Sequence, residues 1–417
     1  MNITIENFDE NRQKIESELD ECDFCSIDCE LSGITPYYSL NILETLEERY
    51  SKLKKNDNQY LILQIGLSFF KKEQNELLTS CYKAHSYNFF LFPRTENKKY
   101  SPKNDIRFQF QVSGVEFLGK HNFDFNKSLV KGISYLTKNH TMKMRKRIQE
   151  TEENKTHIEN ELKTLENEAG FSNIMWRLSE SKKLIIGHNM FVDTMFILRH
   201  FFSSQLPDSS DKFKSNLNSI FPNLVDTKFL ASKEPFLSLK LSTTLNELHA
   251  GLSEKIPKVT FENEDYDKNS ESKQLHDAAY DSYLTGCCYA LMKEYLCNNE
   301  EFKSFNLKNY ENKIYLMKIN GYYYLDLIDE QETPSTENMF HVNFPKEWTR
   351  DDLNKMFDPF GKISVRWIDD YSAIVMLNET QDLFKARDEL INSNKYKLVK
   401  VITYDEFITT QSKKIKT

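Results

Sequence analysis

The sequence lacks the features that mark a membrane, secreted or nucleotide-hydrolysing protein. No apolar run approaches the ~20 residues needed to span a bilayer, and the charged opening MNITIENFDENRQKIESELDE has no apolar signal core. No glycine-rich phosphate loop is present, so an NTPase is not expected. We expect an intracellular protein without membrane attachment. The basic end TTQSKKIKT favours a solvated terminus over a nuclear signal, which leaves both cytoplasm and nucleus open.

Cysteine is scarce and occurs in an odd number. The seven residues are Cys22, Cys25, Cys29, Cys81, Cys287, Cys288 and Cys297. This count argues against a disulfide framework. The first three have a spacing that could suit zinc, but no second pair follows at ligand spacing, and Cys25 and Cys29 fall in or beside an apolar strand. Reduced structural thiols are the favoured interpretation.

An excess of positive charge is also missing. The net charge is -8, in a chain of 417 residues with 39% hydrophobic and 28% charged residues. This composition is typical of a soluble globular protein, and the length suits a large domain plus a small one. A negative balance weighs against tight nonspecific duplex binding. It fits an enzyme that holds a few nucleotides at a chain end.

The hydrophobic pattern predicts an α/β domain over residues 1–335. Helices are predicted at 7–20, 38–55, 171–178 and 189–202 and from about 277 to 296. Strands are predicted at 23–29, 59–70, 81–92, 183–186 and 224–230, and a loop at 261–274. Residues 140–168 are almost all polar and predict an exposed helix or helical hairpin. Their KMRKR run is read as a solvated helix face, with RNA contact as the alternative.

A second, smaller domain is predicted over residues 339–405. A polar linker, DEQETPSTEN, precedes it, and a basic tail of residues 406–417 follows it. Its order of elements is strand, helix, strand, strand, helix, strand, which matches an RNA-recognition motif. In the strand YSAIVML, Ser372 and Ile374 occupy positions where such motifs usually carry stacking aromatics. Ordinary single-strand binding on this sheet is therefore not expected.

Two carboxylates at the end of the first predicted strand indicate a metal site. Asp28 and Glu30, in FCSIDCELSGI, are two residues apart and leave the same face of a strand. Side-by-side carboxylates repel each other unless a cation lies between them, and Mg²⁺ prefers oxygen ligands. The intervening Cys29 should point to the opposite face and leave the chemistry unaffected. Such a pair also occurs by chance at sheet edges.

Two further segments strengthen this interpretation. Asp193, in LIIGHNMFVD, has apolar neighbours that make an unpaired buried carboxylate costly, although a partly exposed helix aspartate is the alternative. His276 and Asp281, in LHDAAYD, would lie at the start of a helix. A lone histidine is more often structural, but this one stands beside a fourth candidate ligand. Four carboxylates can hold two Mg²⁺ ions for hydrolysis of a phosphodiester, and the imidazole can accept a proton from water.

At these residues the chain resembles the DEDDh exonucleases, and among them the poly(A)-specific ribonucleases. The resemblance extends to FCSIDCELSGI, to NFDFNKSLVKGISYL (122–136), and to GFSNIMW, IGHNMFVDTM, LVDTKFLAS and HDAAYDSYLTG. It continues in the C-terminal FPKEW and FGKISVRWIDDYSAIV. It implies an RNase H-like fold with a mixed sheet flanked by helices. It also implies a Mg²⁺-dependent 3′-to-5′ exoribonuclease, for which Mn²⁺ can substitute, and a homodimer.

The resemblance also assigns roles to individual residues. It makes Asp28, Glu30, Asp193 and Asp281 metal ligands, and His276 the general base. Ile34 and Lys228 would contact the RNA, and Trp367 would stack on the 5′ cap; a core or interface tryptophan is the alternative for Trp367. The chain departs from the family at residues 140–168, where only the charged helical segment stands in place of an inserted RNA-binding domain.

Several functions remain open on the sequence alone. The leading hypothesis is removal of mRNA poly(A) tails with release of 5′-AMP. The main alternative is 3′-end trimming of small or noncoding RNAs by the same chemistry. A catalytically idle RNA- or cap-binding regulator is disfavoured because all five active-site residues are present. A DNA exonuclease would be recognised by indifference to the 2′-OH.

Overall fold

The computed structural model describes the chain except for residues 36–39, 74–79, 95–98, 101–105, 152–153, 264–275, 303, 320, 332–333, 379–382, 393–397 and 416–417. It divides into two compact units, each described by itself. The first comprises Met1–Thr35, Tyr50–Leu316 and Tyr324–Glu330. The second comprises Pro36–Arg49, Met317–Tyr323 and Gln331–Thr417. Among the described residues, no helix is both long and apolar enough to cross a membrane.

The first half of the chain builds most of one sheet. Its elements are β1 (Asn2–Ile3), α1 (Phe8–Glu21), β2 (Phe24–Leu31), α2 (Leu46–Asp57), β3 (Ile62–Glu73), β4 (Ser80–Phe90), α3 (Val112–Lys120), α4 (Phe125–Leu129), α5 (Lys138–Gln149), α6 (Lys155–Ala169) and α7 (Ser172–Ser181). The helix predicted at 38–55 is wrong at its start, because residues 40–45 are not helical and α2 begins only at Leu46.

The second half completes the sheet and forms the smaller unit. Its elements are β5 (Leu184–Gly187), α8 (Phe191–Ile197), α9 (Ser210–Ile220), β6 (Leu224–Asp226), α10 (Thr227–Ala231), α11 (Leu245–Lys255), β7 (Val259–Glu262), α12 (Ala278–Asn298), β8 (Lys313–Ile319), β9 (Tyr322–Asp326), β10 (Met339–Asn343), α13 (Arg350–Phe357), β11 (Ile363–Asp369), β12 (Ser372–Leu377), α14 (Leu383–Arg387), β13 (Lys400–Thr403) and α15 (Tyr404–Ile415).

Three predicted boundaries in this half are corrected. The strand predicted at 224–230 stops at Asp226, because this aspartate caps α10 by accepting hydrogen bonds from the backbone N–H groups of Lys228 and Phe229. The helix predicted at 189–202 begins only at Phe191 and passes into a π-helical turn at Leu198–Phe202. The loop predicted from 261 starts later, because β7 extends to Glu262; most of that loop lies outside the described residues.

The large unit is organised around a mixed seven-stranded sheet in the order β1-β4-β3-β2-β5-β6, with β7 paired to β4. Strands β2, β3 and β4 are antiparallel, whereas β5 runs parallel to β2. This arrangement confirms the predicted mixed α/β fold with flanking helices. Because β5 pairs only with Phe24–Ser26 of β2, the second half of β2 extends beyond β5 and leaves an open edge at Asp28 and Glu30.

Helix α12 lies unusually close to this sheet. Asp28 is paired with Gly66 of β3, and a Cβ atom on Gly66 would lie only 1.8 Å from the carbonyl oxygen of Ala278. A small polar layer continues the contact: Ser26 donates a hydrogen bond to the carbonyl of Ser282 at 2.6 Å, and the hydroxyls of Ser68 and Ser282 are 2.8 Å apart. Small side chains thus bring the N-terminal turns of α12 against β2 and β3.

The charged segment at 140–168 forms two helices, α5 and α6, that bury a narrow apolar seam. Ile148, Leu165 and Ala169 pack together with Tyr100 and Leu136. The basic residues of the KMRKR run remain exposed while Met144 lies partly buried against this cluster. The amphipathic pattern therefore produces a solvated basic face over a small core.

The small unit contains the predicted order of strands and helices. Its four strands align as β11-β12-β10-β13, with α13 and α14 in the crossovers. One sheet face is covered: Ile374 is buried with Leu43, Met339 and Met376, and Phe407 of α15 stacks on His341 at 4.0 Å. The tail predicted from residue 406 is thus mostly helical, since α15 runs from Tyr404 to Ile415.

Gly66→Ala should destabilise the protein by about 3 kcal/mol, because the new methyl group must displace α12 from the sheet. It should also reduce activity, since Asp281 moves with the helix. Thermal unfolding measures the first effect. Gly119→Ala is the matched control: no atom lies within 4 Å of the position that its new methyl group would take, so it should leave stability unchanged or raise it by up to about 1 kcal/mol. Equal melting temperatures for both variants would contradict the close approach.

Candidate active site

Three carboxylates from different elements meet at the open edge of β2. The ligand oxygens of Asp28, Glu30 and Asp281 all lie within 4.8 Å of one another. Asp28 and Glu30 leave β2 on the face that α12 covers, and Asp281 lies in the first turn of that helix. Folding thus brings together residues that are about 250 positions apart in the sequence, as the sequence motif predicts.

The start of α12 is fixed by polar side chains of the sheet. Asp277 caps the helix by accepting a hydrogen bond from the Tyr280 N–H, and it also accepts one from the Asn88 amide at 2.6 Å. The Ala278 N–H donates to the side-chain oxygen of Gln64 at 3.1 Å. These bonds hold Asp281 opposite β2. Asp277 also adds a fifth negative charge near the cluster, a role that the sequence analysis did not assign.

Asp193 reaches the cluster from α8, beyond the end of β5. It is not one of the three carboxylates within 4.8 Å, but its charge acts on both Asp28 and Glu30. The Cys29 thiol hydrogen-bonds to the Asp193 carboxylate. Cys29 therefore interacts with one of the candidate ligands, and the expectation that it leaves the chemistry unaffected stays a prediction.

Burial, with added repulsion from neighbouring carboxylates, raises the pKa of all four carboxyl groups. For Asp28 and Glu30, burial is the larger cause, followed by the charges of Asp281 and Asp193. Burial raises the pKa of Asp193 to about 7, and burial with the charge of Asp277 raises that of Asp281 to about 7. Crowded buried carboxylates of this kind are the donor set that a divalent cation requires.

His276 lies at the mouth of this cluster, in a left-handed backbone conformation with φ of 66°. Its Nδ1 atom is 4.0 Å from a carboxylate oxygen of Asp281, and the Asp281 carboxylate accepts a hydrogen bond from the His276 backbone N–H. Burial, aided by the nearby His121, lowers the pKa of His276. The imidazole is therefore neutral near pH 7 and able to accept a proton.

Asp226, a buried residue that was not among the predicted site residues, fixes the turn that precedes Asp193. Asp226 accepts hydrogen bonds from the backbone N–H groups of Asn189, Met190 and Lys228 and from that of Tyr315. It thereby joins the turn before α8 to α10 and β8. The available signal was its position before the helix TKFLA, where aspartate is a favoured N-cap.

Ile34 follows β2 in the chain, and Lys228 lies in α10, directly after the segment that contains Asp226. Ile34 is 47% exposed, and its backbone N–H is held by the Gln111 side chain at 3.0 Å. Lys228 is partly buried, with its ammonium over the Tyr315 ring at 5.5 Å. Burial lowers the pKa of Lys228, and Asp226 opposes this effect. The contact of both side chains with RNA stays a prediction.

The remaining candidate metal ligands are the first three cysteines of the sequence. Among the described residues, the second group able to hold a metal is Glu73, Cys81 and Glu262, and neither group contains Cys22, Cys25 or Cys29. All seven cysteines are free thiols, five of them buried. The zinc alternative for the first three cysteines is thus not supported, and the structural thiol interpretation stands for Cys22 and Cys25.

Trp367 belongs to the small unit and lies on its surface. The indole is 43% exposed and packs edge-on against Phe344 at 5.2 Å. It lines a cavity of about 450 Å³ together with Lys346, Trp348, Ile368, Asp369 and Asp370. A tryptophan with this exposure is not a core residue of the unit.

The chain is similar in sequence to known ribonucleases. The profile of the CAF1 family ribonucleases matches residues 3–289, and that of an RNA binding domain matches residues 329–410. The chain therefore belongs to the CAF1 ribonuclease family. Within that family it is similar to the poly(A)-specific ribonuclease PARN, as its motifs predict. It is 32% identical to PARN of Xenopus laevis, over 98% of this chain and 81% of the frog protein.

Two further relatives are similar to nearly the whole of this chain. Human PARN is 30% identical over 98% of this chain and 80% of its own length. The pre-piRNA 3′-exonuclease trimmer of Bombyx mori is 25% identical over 97% of this chain and 94% of its own length. The alignment with frog PARN is 523 positions long, more than the 417 residues of this chain. The frog protein therefore contains residues inserted relative to this sequence.

Without a divalent cation, the protein should lose stability as pH rises from about 4, the ordinary pKa of a carboxyl group, to about 7, the raised pKa of Asp193 and Asp281. A carboxyl group with a raised pKa stabilises the fold while protonated and loses this contribution on ionising. Mg²⁺ should therefore raise the melting temperature more at pH 8 than at pH 5. The Asp281→Asn variant serves as the reference, and an equal effect of Mg²⁺ on it would contradict the assignment.

Cys29→Ala should raise the half-saturating Mg²⁺ concentration about tenfold, because residues that hydrogen-bond to metal ligands typically affect metal affinity to this extent. Cys29→Ser retains a donor to Asp193 and should restore most of the affinity. Titration of activity with Mg²⁺ measures both. Cys297→Ala, an exposed thiol, is the control. If Cys29→Ala and Cys297→Ala titrate alike, the hydrogen bond to Asp193 has no role in metal binding.

Proposed function

We propose that this ribonuclease is a Mg²⁺-dependent 3′-to-5′ exoribonuclease that shortens poly(A) tails and releases 5′-AMP. The convergence of the Asp28, Glu30 and Asp281 oxygens within 4.8 Å carries the proposal. Asp193 supplies the fourth carboxylate. Similarity to PARN over nearly the whole chain supports poly(A) as the substrate.

The four carboxylates would hold two Mg²⁺ ions, for which Mn²⁺ can substitute. Bound there, such ions supply activation of water and stabilisation of the departing 3′ oxygen. His276 takes the proton from the attacking water, for which its lowered pKa keeps the ring neutral. Asp281 stands 4.0 Å from that ring and favours the imidazolium once it forms. Ile34 offers an exposed apolar side chain to the terminal base, and Lys228 offers a positive charge to the RNA backbone.

The test is hydrolysis of a 5′-labelled RNA with an A-tail in the presence of Mg²⁺. The wild type should shorten the RNA stepwise from its 3′ end, with 5′-AMP as product, and Glu30→Gln should abolish turnover while retaining RNA binding. Glu262→Gln is the matched control, because Glu262 belongs to the other acidic group and is exposed. An RNA that stays intact at high enzyme concentration would refute the proposal.

Trimming of small or noncoding RNAs is the second candidate function. The similarity to the Bombyx mori trimmer, over 94% of that protein, favours it. The chemistry would be the same, so the two candidates differ in which 3′ end is preferred. Comparing shortening rates on A-tailed RNA and on RNAs with mixed-sequence 3′ ends separates them: a strong preference for adenosine supports deadenylation, and equal rates support trimming.

We also propose that Trp367 stacks on the 5′ cap of a bound mRNA. The exposed indole and the carboxylates of Asp369 and Asp370 line one cavity, a combination that suits a positively charged methylguanine. Quenching of tryptophan fluorescence by a cap analogue tests this: binding should disappear in Trp367→Ala, and unmethylated GTP should bind more weakly to the wild type. Equal quenching by both nucleotides would argue against cap recognition.

The remaining proposals concern assembly and location. We propose a homodimer, on the basis of the resemblance to poly(A)-specific ribonucleases, and action on RNA in the cytoplasm, the nucleus or both.

A further inference from the structure

Three aromatic rings form a compact cluster at the mouth of the active site. The His276 imidazole lies 4.6 Å from the Phe117 ring and 4.1 Å from the His121 ring, both edge-to-face. Phe117 and His121 lie 4.7 Å apart. Each ring of this three-ring cluster therefore contacts the other two.

The three-ring cluster restrains the orientation of the His276 imidazole, which the acidic residues do not. At 4.0 Å, the separation between the His276 Nδ1 atom and the Asp281 carboxylate is too long for a hydrogen bond. The His276 side chain is about one-third exposed. Its ring is held by the edge-to-face contacts with Phe117 and His121.

Helix α3 holds the two partner rings in place. His121 is the C-cap of α3, and its backbone N–H bonds to carbonyl groups of the last turn. At the other end, the Gln111 N–H donates to the carbonyl of Ser32 at 2.9 Å, and the Gln111 side chain accepts from the Ile34 N–H. The helix is thus fastened to the segment that continues directly from β2, the strand of Asp28 and Glu30.

We propose that His121 is a positioning residue that holds the His276 imidazole in its working orientation through this ring contact. The proposal rests on the proposed function, in which His276 is the general base. A side chain that is already restrained when substrate binds reaches the productive geometry more often, and small misplacements near reacting atoms are costly in rate. Because ring packing carries the effect, it depends on the presence of a ring at position 121 and not on its charge.

His121 is half-buried and lies beside His276. Its competing role would be to contact the RNA directly. The two roles change different kinetic parameters. Loss of a positioning contact slows the chemical step at saturating RNA, whereas loss of an RNA contact made equally in ground and transition states raises KM and leaves kcat unchanged.

The experiment compares His121→Ala, His121→Phe and the neighbouring control Lys120→Ala. Single-turnover cleavage of A-tailed RNA should slow about tenfold in His121→Ala, with KM and the half-saturating Mg²⁺ concentration close to wild type. His121→Phe should recover most of the rate because it restores a ring. Lys120→Ala, which removes an exposed cation, should behave as wild type.

A chemical readout tests the packing without relying on catalysis. Carbethoxylation of His276 by diethyl pyrocarbonate, followed by mass spectrometry, should be faster in His121→Ala than in the wild type and unchanged in His121→Phe. His140, whose ring bonds to the Tyr100 carbonyl, provides an internal reference within the same digest.

Two results would overturn the proposal: a raised KM with unchanged single-turnover rate in His121→Ala, or failure of His121→Phe to recover a rate that His121→Ala has lost. A wild type that cleaves no RNA would instead defeat the proposed function. In that case the labelling rate of His276 still decides whether His121 restrains the ring.

Discussion

The close contact between α12 and the sheet holds negative charges together that would otherwise separate. Gly66 leaves no side chain between β3 and the Ala278 carbonyl, and Ser68 and Ser282 continue the contact with short hydroxyls. Hydrogen bonds from Asn88 and to Gln64 then fix the first turn. The apolar packing of α12 on the sheet provides the free energy that keeps Asp281 facing Asp28 and Glu30. A divalent cation can then bind to the carboxylates that this packing holds together.

Several neighbouring residues hold the four carboxylates in position. Asp226 accepts hydrogen bonds from backbone N–H groups of three segments and thereby fixes the turn before Asp193. Cys29 bonds to the Asp193 carboxylate, and α3 carries the rings that contact His276. Most of these contacts involve different elements from those that bear the carboxylates. The chemistry of the site is therefore supported by the whole edge of the sheet and by the segment that follows β2.

One face of the sheet in the small unit is covered by other side chains of that unit. Leu43, Ile374 and Phe407 lie together on one face, where a typical RNA-recognition motif exposes stacking aromatics. Arg366, next to Trp367, makes paired hydrogen bonds to Glu48, a residue close in the chain to Leu43. Trp367, on β11, is one of the exposed aromatic residues of this unit, and it lines a cavity.

The types of most elements, the family and the candidate acidic residues could all be predicted from the sequence. Alternation and helical periodicity report local burial, and motifs such as FCSIDCELSGI and HDAAYD preserve the spacing that places side chains on one face. Three contacts could not be predicted in this way and are seen only in the folded chain: Cys29 with Asp193, Asp226 with the turn before α8, and His121 with His276. Those contacts join residues distant in sequence and depend on where elements end and how closely they approach, which no local pattern encodes.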